Sequence, residues 1–92
     1  MMYELSKTNQ FKKDFKLIEK RNYDISKLET ALTMIITGDK LPSKYKEHPL
    51  IGNYQNHFEC HIQPDWLLIF KRDNSEKLIT LVRTGTHSDL FG

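Results

Sequence analysis

The sequence predicts a two-layer α+β domain in the order β-α-α-β-β-β, with two antiparallel helices packed on a small, mainly antiparallel sheet. Two segments between residues 9 and 37 repeat apolar residues at helical spacing, and three later segments show strand patterns joined by short turns. The helices need an apolar surface to cover their stripes, and the sheet is the only large one. With 92 residues, the chain 1–92 is expected to form one domain.

The composition is typical of a soluble globular protein, with 38% hydrophobic and 28% charged residues and a net charge of +2. This charge is too mild to indicate nucleic-acid binding by itself. The longest apolar run, Trp66–Phe70, is far shorter than the ~20 residues of a membrane helix, and residues 1–7 lack the apolar core of a secretion signal. A lone Cys60 excludes an internal disulfide and a thiolate zinc cluster. We therefore expect a cytoplasmic protein with no membrane partner.

The first half starts with the alternating residues 3–6, which predict a short strand. Thr8 or Asn9 then offers an N-cap for the first helix, whose apolar residues form one stripe: Phe11, Phe15 and Ile18. The capping-box pattern at residues 26–29 predicts the start of the second helix, and Gly38 predicts its left-handed end. The second stripe is the strongest periodicity in the chain: Leu28, Ala31, Leu32, Ile35 and Ile36.

The second half opens with residues 39–56, where two prolines, a glycine and few apolar residues predict a long irregular connection. Short turns then join three predicted strands into an antiparallel meander: Phe58–Ile62, Trp66–Phe70 and Leu78–Val82. The middle strand is apolar on both faces and is expected to be central. Near the end of the chain, Thr86 and Asp89 have the spacing that caps a single helical turn.

The candidate catalytic residues also lie in the second half. The first and third strands of a meander run in the same direction, so His61 and Asp65 are expected at the same sheet edge as Arg83 and His87. The irregular connection can bring His48 to that edge. A pair of histidines can act as general base and general acid near neutral pH, and arginine can grip a phosphate with two parallel donors. This combination suits cleavage of RNA without a metal.

The residues alone leave other interpretations open. Histidines at strand ends are commonly ordinary polar residues, and three histidines with Asp65 also match a metal site. Among the aromatic residues, Trp66 and Phe58 favour packing in the core. Phe91, next to the last residue, fits docking over a site as well as packing.

Three runs of the sequence resemble the YafQ branch of the RelE/ParE toxin superfamily: Lys46–Gly52, Cys60–Ile69 and Arg83–Gly92. The resemblance covers nearly the whole chain and implies a RelE-like fold. It implies the toxin of a type II toxin–antitoxin pair, a ribosome-dependent endoribonuclease that cleaves mRNA in the A site without metal or cofactor. The expected partners are the ribosome with its rRNA, the mRNA substrate and a cognate antitoxin, with operator DNA reached only through the antitoxin.

The resemblance also assigns site residues. Four match the catalytic positions of the family: His48, His61, Asp65 and His87. Four others are expected to bind substrate or RNA phosphate: Arg83, Phe91, Lys44 and Lys46. We expect His87 to be the general acid, His48 or His61 the general base, and Asp65 the group that orients a histidine. Arg83 would stabilise the transition state, Phe91 would stack on a nucleotide, and no metal ligand is expected. Trp66 is taken as structural support and His57 as a surface residue.

Two other classes of function share this fold. A ParE-like toxin blocks gyrase rather than cutting RNA, and a protein-blocking surface of that kind needs no acid–base pair. A catalytically inactive RNA- or protein-binding module is the other alternative. The histidine cluster favours the nuclease over both.

Overall fold

The computed structural model describes residues 2–52 and 56–92, so part of the predicted irregular connection, residues 53–55, lies outside the described residues. The helices are α1, α2 and α3, at Asn9–Lys20, Ile25–Thr37 and His87–Phe91, and a short 3-10 turn lies at Ser43–Tyr45. The strands are β1 to β5, at Glu4–Lys7, His48–Pro49, His57–Gln63, Trp66–Asp73 and Leu78–Gly85. No helix in the described ranges is long and apolar enough to cross a membrane.

The five strands form one mixed sheet in the order β1-β5-β4-β3-β2. β1 pairs with β5 in parallel and every other neighbouring pair is antiparallel, so the predicted α+β class and the meander are confirmed. β4 lies in the middle of the sheet, as its apolar sequence predicts. Its residues Trp66–Phe70 are all buried.

The core lies between the helices and one face of the sheet. The helices contribute Phe11, Ile18, Leu28, Ala31 and Ile35, and the sheet contributes Trp66, Leu68, Phe70, Ile79 and Leu81. The N–H of Phe11 donates to the Thr8 side chain, which caps α1, and Gly38 ends α2 with a φ of 82°. The start of α1 and the end of α2 therefore follow the sequence prediction. The first depends on a local hydrogen bond, and the second depends on the backbone freedom of glycine.

Two elements differ from the prediction. Asp24 caps α2 rather than Ser26, because the Asp24 carboxylate accepts the Ser26 N–H at 3.1 Å and the helix starts at Ile25. The connection is also less irregular than predicted, because His48 and Pro49 pair with Glu59 and Phe58 as a two-residue edge strand. This pairing is long-range, and no local pattern indicates it.

On the other face of the sheet, polar side chains of the neighbouring strands surround buried apolar residues of β4. Leu67 and Ile69 of β4 alternate with the core residues and are fully buried. Cross-strand register places His48 opposite Glu59, Glu59 opposite Ile69, and Ile69 opposite Arg83. Residues opposite one another in an antiparallel pair share a face, so these residues form one row across four strands.

Candidate active site

The neighbouring row of the sheet leads to the β3–β4 turn. His61 pairs with Leu67, and Leu67 pairs with Gly85 at the end of β5. A register shift after His61 marks a bulge just before the turn, a feature that often re-aims side chains beside functional sites. Asp65 lies in that turn and His87 starts α3, so the strand directions bring both to the edge that holds His61, as the sequence indicates.

The shortest contact of the site joins Asp65 and His87. Asp65 Oδ1 accepts the backbone N–H of His87 at 3.0 Å and lies 2.6 Å from its Nδ1. These two hydrogen bonds, with that of the backbone first, hold the pKa of Asp65 below its ordinary value. Both side chains are more than half exposed. The Asp65–His87 pair is thus an oriented imidazole at the open surface of the molecule.

Helix α3, which carries His87, is held in place by Asp89. The Thr86 and Asp89 side chains form the predicted capping box, and Arg21 at the end of α1 donates two hydrogen bonds to Asp89 at 2.6 and 3.1 Å. The Arg21 guanidinium is the largest cause of a strongly lowered pKa at Asp89. Gly85 has a φ of +153°, and a Cβ there would lie 2.8 Å from Asp89 Oδ2. Only glycine fits this approach without a shift.

A second acid, Glu59, lies between two histidines and was missed in the sequence analysis. It is only 7% exposed, and its Oε1 lies 3.4 Å from His48 Nε2 and 3.7 Å from His61 Nε2. We call these three residues the Glu59 group. A signal was present, since Glu59 and His61 are two residues apart on a strand and therefore share a face.

In His48, His61 and His87, the Nδ1 atom faces an oxygen that can only accept a hydrogen bond. The acceptors are the Lys46 carbonyl for His48 at 2.9 Å, the Pro64 carbonyl for His61 at 3.3 Å and the Asp65 carboxylate for His87. Nδ1 of His87 therefore donates to the Asp65 carboxylate, whereas in His48 and His61 both ring nitrogens face an acceptor, because Nε2 of each lies near Glu59 Oε1. The rings of His61 and His87 lie 5.8 Å apart between centroids. This spacing places two imidazoles side by side at the edge of the sheet.

Arg83 is held by Asp14 of α1. Its Nε and Nη2 donate to the Asp14 carboxylate at 3.0 and 3.1 Å, and the Thr84 N–H donates to the same group at 3.2 Å. β1 ends at Lys7, opposite Leu81, so Asp14 takes the place of a strand neighbour for the last part of β5. Asp14 was also missed by the sequence analysis, because 69 residues separate it from Arg83.

The remaining candidates occupy varied positions. Phe91 is 53% exposed at the end of α3, and Lys44 places its Nζ 5.3 Å from the centre of the Tyr45 ring. Lys46 is exposed and has a left-handed backbone with a φ of 49°. Trp66 is buried, and its indole N–H donates to the Thr84 hydroxyl at 2.9 Å, in keeping with a structural role. His57 is half-buried at the start of β3 rather than fully on the surface.

The surroundings of Cys60 do not favour thiol chemistry. Cys60 is fully buried, and its burial, followed by the charges of Glu47 and Glu59, raises the pKa of the thiol to about 12. A thiolate nucleophile at Cys60 is thereby disfavoured. Across residues 2–52 and 56–92, no three His, Cys, Asp or Glu side chains are grouped so that they could hold a metal ion.

The fold and the site together define a small α+β protein with acid–base groups at an open edge of its sheet. Residues 3–92 match the family model for the bacterial toxin of a type II toxin–antitoxin system, YafQ. The chain belongs to this family, which confirms the family resemblance of its three sequence runs.

Individual relatives agree with this assignment. The chain is 41% identical over 90 residues to the mRNA interferase toxin YafQ of Escherichia coli (strain K12), covering 97% of this chain and 96% of that protein. It matches a chain in the crystal structure of the E. coli DinJ-YafQ toxin-antitoxin complex with a TM-score of 0.92, at 40% identity over the whole of both chains. A metal-bound toxin from Helicobacter pylori matches with a TM-score of 0.91, at 36% identity over 99% of this chain and 100% of that one.

Proposed function

We propose that this toxin is an endoribonuclease that cleaves mRNA in the ribosomal A site by metal-independent acid–base catalysis. The observation that carries the proposal is the Asp65–His87 pair, with a second imidazole, His61, 5.8 Å from that of His87. Two such groups can remove one proton and deliver another across a single phosphodiester. The E. coli relative that is 41% identical bears the name mRNA interferase toxin, which supports the same reaction.

The reaction breaks one phosphorus–oxygen bond and forms another. A neutral imidazole, that of His48 or His61, takes the proton of the 2′-hydroxyl through Nε2, and the freed oxygen attacks the adjacent phosphorus. The bond from phosphorus to the 5′-oxygen breaks, and protonated His87 gives its Nε2 proton to that oxygen. The products are a 2′,3′-cyclic phosphate and a 5′-hydroxyl end. Asp65 serves this step by holding Nδ1 of His87, which stabilises the protonated ring.

Glu59 fits the role of a positioning residue for the base. With Nδ1 protonated, the neutral His48 and His61 rings turn lone pairs toward the carboxylate, whereas the protonated rings form ion pairs with it. Glu59 therefore stabilises the charge that either ring acquires when it accepts the 2′-hydroxyl proton. The row across the sheet adds Arg83, whose orientation Asp14 sets, as the cation that balances charge at phosphorus. Exposed Phe91 supplies a ring on which a base can stack.

The proposed partners follow from the same assignment. A cognate antitoxin would bind and neutralise the chain, as the toxin–antitoxin complex of the E. coli relative suggests, and operator DNA would be contacted only through that antitoxin. The ribosome would present the mRNA, with lysines such as Lys44 and Lys46 meeting RNA phosphate. Because the ribosome would position the mRNA, a chain with a net charge of only +2 can act on RNA. The cytoplasm is the compartment that holds all of these partners.

The test is to map mRNA 5′ ends in cells after induction and with purified ribosomes in vitro. We expect cuts in phase with the reading frame, 5′-hydroxyl ends, and cleavage that survives a metal chelator. Uncut mRNA together with inhibited gyrase supercoiling would replace the proposal with the ParE-like alternative. Cleavage that chelator abolishes and zinc restores would overturn its metal-independent part.

A further inference from the structure

A cleft lined by lysines lies beside the active site. It has a volume of about 620 Å³ and lies where the first turn of α2, the 3-10 turn and the β3–β4 turn meet. Lys27 lines it from α2, and Lys44 and Lys46 line it from the 3-10 turn and its end. His61 lines it as well, so the cleft and the active site share a wall. We call it the lysine cleft.

The cleft exists because β2 is too short to cover β3. β2 pairs only with Phe58 and Glu59, so the rest of that β3 edge, toward the turn, has no strand neighbour among the described residues. Tyr45 of the 3-10 turn is buried and anchors that turn against the core. The lysines on either side of it, Lys44 and Lys46, are exposed. The fold thus keeps one end of β3 open and places cations around the opening.

The charge of the cleft favours an anion. Three of its lining residues are lysines, and none of the described residues that line it is acidic. Lysine binds phosphate as a point charge, and the volume falls within the range of about 300–1,000 Å³ typical of small-molecule sites. A cleft of this size accommodates a nucleotide together with its phosphate.

We propose that the lysine cleft holds the nucleotide and phosphate next to the scissile phosphate of the RNA. This inference rests on the proposed nuclease function and adds a subsite to it. A strand seated in the cleft continues over His61 toward His87, where the two rings lie 5.8 Å apart. The shared His61 wall favours the RNA substrate over an acidic protein segment, because a strand that occupies the cleft leads directly into the catalytic groups. Lys27 is then a substrate-binding residue outside the catalytic set.

The test uses RNA that cannot be cleaved, so that it does not depend on catalysis. A dinucleotide and a hexanucleotide, both fully 2′-O-methylated, are titrated into the purified wild-type protein and the Lys27→Ala variant at several salt concentrations, with binding followed by amide chemical shifts. We expect Lys27→Ala to weaken hexanucleotide binding severalfold. It should also lower the slope of log affinity against log salt by about 0.7, the value for one phosphate of a single strand. A dinucleotide without terminal phosphates lacks the second phosphate that Lys27 would bind, so Lys27→Ala should leave the salt slope of its binding unchanged.

Two variants control for charge and for folding. Lys40→Ala removes an exposed lysine beyond the other end of α2, about 15 Å or more from Lys27 along the helix, and should bind both oligonucleotides like the wild type. Lys27→Arg should retain most of the hexanucleotide affinity. Hexanucleotide binding that Lys27→Ala leaves unchanged would overturn the subsite. Unchanged RNA binding with weakened binding of the antitoxin would assign the cleft to that protein instead. Wild-type protein that fails to cut mRNA yet shows Lys27-dependent binding would count against the nuclease function alone.

Discussion

The site contains two histidine–carboxylate arrangements that differ in length and burial. In the Asp65–His87 pair the two atoms lie 2.6 Å apart and both side chains are largely exposed. In the Glu59 group the carboxylate is buried and its two histidine nitrogens lie 3.4 and 3.7 Å away. The first is a strong, directional hydrogen bond, whereas the second is an electrostatic contact without good hydrogen-bond geometry.

This difference teaches that the two carboxylates do different work. Asp65 contacts both the backbone N–H and Nδ1 of His87, so it fixes the orientation of the His87 ring. Glu59 faces Nε2 of His48 and of His61 at longer distances, so it interacts with the charge of these rings rather than fixing their orientation. The comparison therefore predicts a large loss of cleavage from variants of the first arrangement and a small loss from variants of the second.

The largest effect is expected from His87→Ala. Loss of a general acid should lower the rate of mRNA cleavage by roughly 10²- to 10⁴-fold. The fold should remain, because His87 is exposed and makes no core contact. Cleavage on purified ribosomes and circular dichroism measure the two properties, and Ser88→Ala serves as the exposed control on the same helix. Undiminished cleavage by His87→Ala would remove this residue from the mechanism.

Asp65→Asn should have the next largest effect. The amide oxygen can still accept the backbone N–H of His87, but the variant lacks the charge that stabilises the protonated ring. We expect a loss of roughly tenfold in cleavage rate, smaller than that of His87→Ala because the acid itself is kept. The pH–rate profile should also move on the limb that reports the acid. A loss as large as that of His87→Ala, with an unmoved profile, would indicate a role for Asp65 other than orientation.

Glu59→Gln tests the other arrangement with a side chain of the same shape. The neutral amide cannot form an ion pair with His48 or His61, so the variant lacks the charge that would stabilise either ring after it accepts a proton. The cleavage rate should fall by only roughly threefold, because contacts of 3.4 and 3.7 Å are longer than a good hydrogen bond. A larger loss than that of Asp65→Asn would reverse the comparison and make the Glu59 group the main proton-transfer centre.

The smallest effect concerns the support of the Asp65–His87 pair by Asp89. The folded pKa of Asp89 lies well below its ordinary value of 3.8, chiefly because of Arg21. A lowered folded pKa contributes stability that is present above the unfolded pKa and is lost as the pH falls through the folded value. Asp89→Asn should therefore lower the melting temperature by a few degrees at pH 7 and by progressively less below about pH 4.

A double-mutant cycle sharpens this expectation. Arg21→Gln should lower the melting temperature in the same way, and the combination of Arg21→Gln with Asp89→Asn should add little to either variant alone. Melting curves between pH 2 and pH 7 give the comparison. Additive losses, or a deficit of Asp89→Asn that stays constant down to pH 2, would show that the ion pair is not what holds α3.

Most of the fold could be predicted because its signals are local. The apolar stripes of α1 and α2, the Thr8 cap and the left-handed Gly38 are each encoded within a few residues. The prediction was wrong where two residues could each cap the same helix, or where a strand forms only by pairing with another part of the chain. Asp24 precedes Ser26 and accepts the Ser26 N–H, so the helix starts before the predicted Ser26 cap, and β2 consists of two residues that become a strand only beside β3.

The residues of the site were likewise predictable where the signal is local and unpredictable where it depends on distant strands. Strand direction alone placed His61, Asp65 and His87 at one edge, because a meander leaves few alternatives. Glu59 looks like any outward-facing polar residue of a strand until β2 brings His48 opposite to it. Asp14 likewise occupies an ordinary position on α1, and its role appears only when β1 ends early and exposes the edge of β5.

The sheet ends on both sides in its two shortest strands, with two residues in β2 and four in β1. An edge strand offers its unpaired backbone groups to any neighbouring chain, and a short strand offers few of them. Two copies of this toxin that meet edge to edge through β1 or β2 can therefore form only a few backbone hydrogen bonds along those strands. The short outer strands thus limit strand-to-strand pairing at β1 and β2 without covering the surface that holds the histidines.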